Sequence, residues 1–186
     1  MPLSDNDKNT LIKLANSAIR HYLGLETEPT IPITIGDFSN DLQSIGASFV
    51  TLTKNNELRG CIGSLEAHRP LIEDVISNAQ AAAFSDPRFA PLTLPELENI
   101  HIQVSVLSKP EVINFSSEAE LLQQLKPNID KLILEDKGRR GTFLPTVWES
   151  LTTPEQFLQH LKLKANLSAN YWSDSLKVYR YTTECF

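Results

Sequence analysis

The chain has 186 residues, with 17 Lys and Arg against 23 Asp and Glu, a formal net charge of −6 with its four histidines neutral. Hydrophobic residues at 41% and charged residues at 22% describe a globular chain, large enough to bury a core without disulfide or metal staples. The acidic balance disfavours direct nucleic-acid binding, which rests on many clustered Lys and Arg.

The N-terminus, Met1 to Asp7, carries neither the basic region nor the apolar stretch of a secretory leader. No uninterrupted apolar run is long enough to cross a bilayer, so the expected compartment is the cytoplasm and no membrane is expected. From Ser4 the pattern is helical. Leu11, Leu14, Ala15, Ala18 and Tyr22 recur at spacings of three and four, Ser4 and Asp7 form a capping pair, and Gly24 supplies the stop. Residues 26–39, with Pro29, Pro32 and Gly36 among alternating Ile31, Ile33 and Ile35, suit an extended connection or edge strand. They are the best candidate for a crossing between two lobes.

Residues 47–52 and 58–65 flank the polar stretch Lys54 to Glu57, as two antiparallel strands of a hairpin would. Pro70 then stands in a helix's first turn, and Leu71, Ile72, Val75, Ile76, Ala79, Ala82 and Ala83 continue with a 3.6-residue period. On that helix Glu73 and Asp74 read as solvated. The segment Ser85 to Pro91, bounded by two prolines, breaks it. Ile100 to Leu107 alternates apolar and polar residues as a half-buried strand does. A short helix over Ser117 to Lys126 and a second hairpin over Lys131 to Leu144, turned at Asp136-Lys137-Gly138, come next. Thr153-Pro154-Glu155-Gln156 combines an N-cap, an N1 proline and a capping-box glutamine, launching a helix through Phe157, Leu158 and Leu161. Trp148, Tyr171 and Trp172 read as core lids, and the chain ends in a β-rich run, Leu176 to Cys185.

Hairpin-connected strands with helices between them predict an α+β fold around a mainly antiparallel sheet with flanking helices, in one domain over residues 1–186. Neither G-x-G-x-x-G nor G-x-x-x-x-G-K-[ST] occurs, and no cofactor is expected. His21, His101 and His160 lack a ligand partner at helical spacing, so no metal is expected. The two cysteines, Cys61 and Cys185, stand in no C-x-x-C arrangement and make no disulfide framework.

The richest stretch is Leu58-Arg59-Gly60-Cys61-Ile62-Gly63. Strand alternation puts Arg59 and Cys61 on one face and Leu58 and Ile62 on the other. A guanidinium beside a thiol favours the thiolate. Glycine inside a strand marks a bulge or the close approach of a ligand or another backbone, which makes Gly60 and Gly63 candidates for ligand contact. The plain alternative is that Cys61 packs as a small hydrophobe. His68, seven residues on, is a candidate base. Asp86 and Arg88 in the stiffened loop, with Arg140 and Gly141 past the second hairpin's turn, complete the candidate ligand-binding set. Arginine's planar fork suits a small ligand bearing a carboxylate or phosphate.

Several phrases together resemble the AMMECR domain family: the hexapeptide with Ser64-Leu65-Glu66-Ala67-His68-Arg69-Pro70-Leu71, then Ala83 to Phe89, Val104 to Ser108, and Gly138-Arg139-Arg140-Gly141-Thr142-Phe143-Leu144-Pro145. The similarity covers essentially the whole chain and is narrowest toward a bacterial branch of the family. It implies a two-lobed domain on an antiparallel sheet, with the hexapeptide near a cleft between the lobes, and it brings no reaction. The association of family members with Memo-like proteins and radical S-adenosylmethionine proteins implies such partners in a modification system. Two positions depart from the family pattern. Thr146 stands where a glutamine is expected after Pro145, which bears on ligand binding on that side. Asn166 replaces a usual glycine after Lys164-Ala165, and asparagine still reaches the left-handed conformation.

Two functions stay open. One is an enzyme or enzyme subunit in which Cys61 is a thiolate nucleophile or covalent carrier, Arg59 lowers its pKa, and Arg88 or Arg140 orients an anionic group. The other is a non-catalytic binding or scaffold module, in which Cys61 is packing and the glycines admit a partner's backbone or a small anion. A homodimer is among the expected assemblies.

Overall fold

The computed structural model describes residues 2–25, 35–143, 147–148 and 150–186. They form two compact units: Met1–Leu107 with Glu184–Phe186, and Ser108–Thr183.

In the first unit, helix α1 (Asp5–Tyr22) starts as the capping pair predicts: the Ser4 hydroxyl accepts from the Asp7 amide at 3.1 Å and donates to the Asp7 carboxylate at 2.7 Å. Gly24, at φ +74°, takes the left-handed turn that stops it. Leu11, Ala15, Ala18 and Ile19 are buried, but Tyr22 is 64% exposed, its ring stacked on Phe84 at 4.1 Å. Of the expected extended segment, residues 26–34 lie outside the described residues. Ile35–Asp37 is a 3₁₀ turn rather than a strand, because Ser39 caps the short helix α2 (Asn40–Gln43) directly after it.

Strand β1 (Ile45–Gly46) is followed by the expected hairpin of β2 (Ser48–Lys54) and β3 (Glu57–Gly63). The strands run further into the polar stretch than the sequence indicates. Only Asn55 and Asn56 form the turn, both with positive φ, the geometry of a two-residue connection that matches strand twist. Leu52 faces Gly60 while Thr53 faces Leu58, so Arg59 is the extra residue of a bulge. Strand β4 (Arg69–Pro70) pairs with β1, and Pro70 is the N-cap of α3 (Leu71–Phe84) rather than a first-turn residue. Strand β5 (Ile100–Leu107) lies along β2, and the chain's last strand, Thr183–Cys185, lies beyond β5; the four-stranded sheet ends at β3. Helices α1 and α3 close the buried core with Val50, Leu52 and Val104. The helix–sheet distance is set at Gly60, where an added Cβ would sit 2.1 Å from the Ala82 carbonyl oxygen.

The second unit contains β6 (Glu111–Ile113), α4 (Glu118–Gln124), β7 (Lys131–Asp136), β8 (Arg139–Thr142), α5 (Pro154–Lys164) and β9 (Lys177–Tyr181). The sheet order is β6-β9-β7-β8, every pair antiparallel. The β7–β8 turn is Lys137-Gly138, at φ +46° and +77°. The Thr153 hydroxyl accepts from the Gln156 amide, and Phe157, Leu158 and Leu161 of α5 are buried, as the sequence indicates. Trp148 stacks on Phe157 at 3.9 Å in this core. The fold is α+β with mainly antiparallel sheets. No helix of the described residues is long and apolar enough to cross a membrane.

Candidate functional site

From Gly60 the strand alternates. Gly60 faces α3, Ile62 packs on the core, and the half-buried Cys61 points to the opposite sheet face. There the Thr51 hydroxyl, on the neighbouring strand, donates to the Cys61 sulfur at 3.3 Å. Because β3 is the sheet edge among the described residues, the Cys61 peptide has backbone groups that no described strand pairs with, and side chains of one loop take them. The Cys61 N–H donates to Asp86 Oδ2 at 2.9 Å, and the Cys61 carbonyl accepts from Arg88 Nη2 at 3.2 Å.

The loop is built for this. Asp86 Oδ1 accepts the Arg88 amide at 3.1 Å, an aspartate-anchored turn across Pro87, while the Arg88 guanidinium returns to Asp86 with Nε–Oδ1 2.9 Å and Nη2–Oδ2 2.7 Å. Asp86 is 4% exposed and the Arg88 side chain 53%. The Arg88 guanidinium, helped by the Cys61 and Arg88 amides, holds the Asp86 carboxyl well below the ordinary carboxylate range against the opposing effect of burial. Asp86 in turn raises Arg88, with a smaller push from Cys61.

Arg59 is engaged elsewhere. From the bulge its Nε and Nη2 reach the two carboxylate oxygens of Glu96, each at 3.1 Å, and Nη2 also donates to the Ala90 carbonyl at 2.9 Å. Lys54 Nζ shares Glu96 Oε1 at 3.1 Å, and Thr93 closes a capping box on the same carboxylate. Arg59 first, then Thr93 and Lys54, hold Glu96 well below the ordinary carboxylate range. The guanidiniums of Arg59 and Arg88 lie 5.9 and 5.5 Å from the centroid of the Phe89 ring. The guanidinium that reaches the Cys61 peptide is therefore that of Arg88. Strict alternation could not show this, since the bulge falls on Arg59 itself.

His68 is exposed with its Nδ1 at 2.9 Å from the Glu66 carbonyl; among the described residues no hydrogen bond joins its ring to the thiol. At Gly63 an added Cβ would meet the Phe49 ring at 2.3 Å, and at Gly141 the Leu161 carbonyl at 2.8 Å. The room beside Gly60, Gly63 and Gly141 is thus occupied by the protein's own backbone and an aromatic ring. Gly141 and Arg140 belong to the second unit, where Arg140 Nε pairs with Glu135 Oε1 across the hairpin at 3.1 Å. Thr146 lies outside the described residues. Asn166 holds the left-handed conformation, at φ +58°, and its carbonyl accepts from Arg139 at 2.7 Å.

Asp74 corrects the reading of it as solvated: it is fully buried. Its oxygens accept from the Ser48 amide and hydroxyl, Ser64, Arg69 and Asn78, all between 2.7 and 2.9 Å. A signal was present in the sequence, because Asp74 and Asn78 are four apart on a helix whose alanines already imply burial over a broad face. Among the described residues no group of three or more His, Cys, Asp or Glu is arranged to hold a metal ion.

Chemically, the arrangement offers a half-buried thiol that accepts from a hydroxyl, on a peptide whose N–H and C=O are both bonded to one loop, next to an arginine whose side chain is half in solvent. The AMMECR1 family model matches residues 12–186. A protein of Methanothermobacter thermautotrophicus is 35% identical over 191 positions, covering 100% of this chain and 96% of its own. One from Thermofilum pendens is 37% identical, covering 99% and 91%. In structure the chain is similar to the uncharacterised protein PH0010 of Pyrococcus horikoshii, with a TM-score of 0.78 at 35% identity, over 98% of this chain and 92% of that one.

Proposed function

The chain belongs to the AMMECR1 family, and we propose that it is a thiol-dependent enzyme or enzyme subunit of a modification system, with Cys61 as nucleophile or covalent carrier. One observation carries this reading: Asp86 and Arg88 clamp both backbone groups of Cys61 while Thr51 donates to its sulfur. The Thr51 hydroxyl engages the sulfur directly, and the clamped peptide holds the backbone from which the side chain projects. The thiol proton goes to water. Arg88, half in solvent, orients an anionic group of the substrate. His68 is given no step. Within the family the chain is read as an AmmeMemoRadiSam system protein A, working in the cytoplasm with a Memo-like and a radical S-adenosylmethionine protein.

The test is iodoacetamide labelling of Cys61 against pH, in a Cys185→Ser background so that one thiol reports. Labelling is expected to be faster than that of free cysteine under the same conditions, and to slow in both Thr51→Val and Arg88→Gln. A thiol no more reactive than free cysteine removes the nucleophile.

A second reading, a non-catalytic docking or scaffold module for the same partners, is favoured by the internal engagement of Arg59 with Glu96 and of Gly60 with Ala82. Under it Cys61→Ser preserves partner binding and the activity of the assembled system, whereas Arg59→Ala impairs both.

A further inference from the structure

Within the second unit, an open hollow of about 560 Å³ lies against the β7–β8 hairpin, lined by residues 135–140 with Ser175 and Lys177. The volume falls in the range of small-molecule sites, about 300–1,000 Å³, and is larger than a bare oxyanion fills. Four cations line it, Lys137, Arg139, Arg140 and Lys177, against two carboxylates, Glu135 and Asp136. This local excess of positive charge stands out on a chain of net charge −6.

The carboxylates are already occupied. Asp136, 4% exposed, accepts from the Tyr171 hydroxyl and from Ser175 at 2.6 Å. Glu135 faces Arg140 on one neighbouring strand and Lys177 on the other, so one row across β8, β7 and β9 reads cation, carboxylate, cation. Lys137 and Lys177 are exposed, and among the described residues neither is held in an ion pair. Lys137 sits in the turn itself at φ +46°.

From this geometry we infer that the β7–β8 hairpin of the second unit binds a phosphate ester, with Arg140, Lys137 and Lys177 on the phosphate oxygens and the remaining hollow taking the organic part. A multiply charged tetrahedral group suits one arginine fork plus two mobile ammonium groups better than a single carboxylate does. Glu135 acts as the resident counter-charge that the ligand displaces. The inference goes beyond the proposed function, which sets its anionic group on Arg88 of the first unit, and it does not depend on Cys61.

The test is a titration of the ¹⁵N-labelled full chain with pyrophosphate and with adenosine diphosphate, followed by amide shifts. The amides of residues 135–140 and of Lys177 are expected to follow one saturating curve, with adenosine diphosphate bound more tightly than pyrophosphate. Lys177→Ala and Lys137→Asn, the latter keeping a residue that tolerates positive φ, are each expected to raise Kd about tenfold, as loss of one charge-assisted contact does. Glu135→Gln is expected to lower it. Shifts that stay linear, equal Kd values for the two probes, a Kd unmoved by Lys177→Ala, or weaker binding in Glu135→Gln would each overturn the assignment. An unchanged thermal transition of Lys177→Ala shows that the fold survives the substitution. Labelling of Cys61 reports on the thiol reading separately, so the two can fail independently.

Discussion

Asp86 and Cys61 are joined through the strand backbone, not through the thiol: the carboxylate accepts the Cys61 amide at 2.9 Å while its other oxygen anchors the Arg88 amide. Together with Arg88 on the Cys61 carbonyl, the loop does for one residue of an edge strand what a neighbouring strand would do. It satisfies the exposed amide and carbonyl and blocks further pairing there. The same contacts hold the backbone from which the sulfur projects.

Replacing Asp86 by Asn tests that clamp. The variant keeps the shape but removes the charge on which Arg88 closes, and the expected loss is about 2 kcal/mol at neutral pH, the scale of a hydrogen bond to a charged group. Folding depresses this carboxyl, so its contribution is complete above the unfolded value of about 4 and is lost as pH falls below that toward the folded value. Urea unfolding at pH 7 and pH 3 should therefore show the gap between the two proteins narrowing in acid. A gap that widens in acid would contradict the assignment.

Gly60 and Gly138 separate two uses of glycine. A methyl at Gly60 meets the Ala82 carbonyl at 2.1 Å, backbone against backbone, and Gly60→Ala is expected to cost about 3 kcal/mol or more by forcing α3 off the sheet. At Gly138 nothing lies within 4 Å, but φ is +77°, so Gly138→Ala should cost only about 1 kcal/mol of backbone strain. Thermal unfolding of the two variants side by side checks both values.

Those glycines also show how far the sequence could be read. The first hairpin, both major helix starts and the alternating strand at Ile100 to Leu107 depend on neighbours in the chain, and all are found close to where local patterns put them. The β1–β4 pair and β6 have no such local mark, since short strands are settled by what packs beside them; Gly60 marks a bulge or a close approach, but not that Arg59 is the extra residue. In the candidate site Cys61, Asp86 and Arg88 were legible as residue types in unusual settings. Thr51 and Glu96 were not, because a cross-strand hydroxyl and a capping-box glutamate acquire their roles only when β2, β3 and the loop after α3 are assembled.

Asp74 should prove the most expensive carboxylate to remove from the first unit. Asp74→Ala leaves the donors of Ser48, Ser64 and Asn78 without their acceptor around a position of zero exposure, and Arg69 without its ion-pair partner. The expected loss is about 3–5 kcal/mol. Because the network ties the start of β2, the end of β3 and the start of α3, amide hydrogen exchange should quicken at Ser48, Ser64 and Leu71 together. Exchange that quickens at Asp74 alone would mean that the network does not act as a unit.

Arg59 and Glu96 offer the cleanest separation of structure from thiol chemistry. Their side chains are 13% and 19% exposed, with two hydrogen bonds between them, so screening is partial. A double-mutant cycle of Arg59→Gln and Glu96→Gln should give a coupling of about 1–2 kcal/mol in unfolding free energy. Since the pair closes on itself, Arg59→Gln should leave the rate of Cys61 labelling unchanged within error, while Arg88→Gln slows it. A labelling rate that follows Arg59 instead would return the hexapeptide's own arginine to the thiol and make the Glu96 pair incidental.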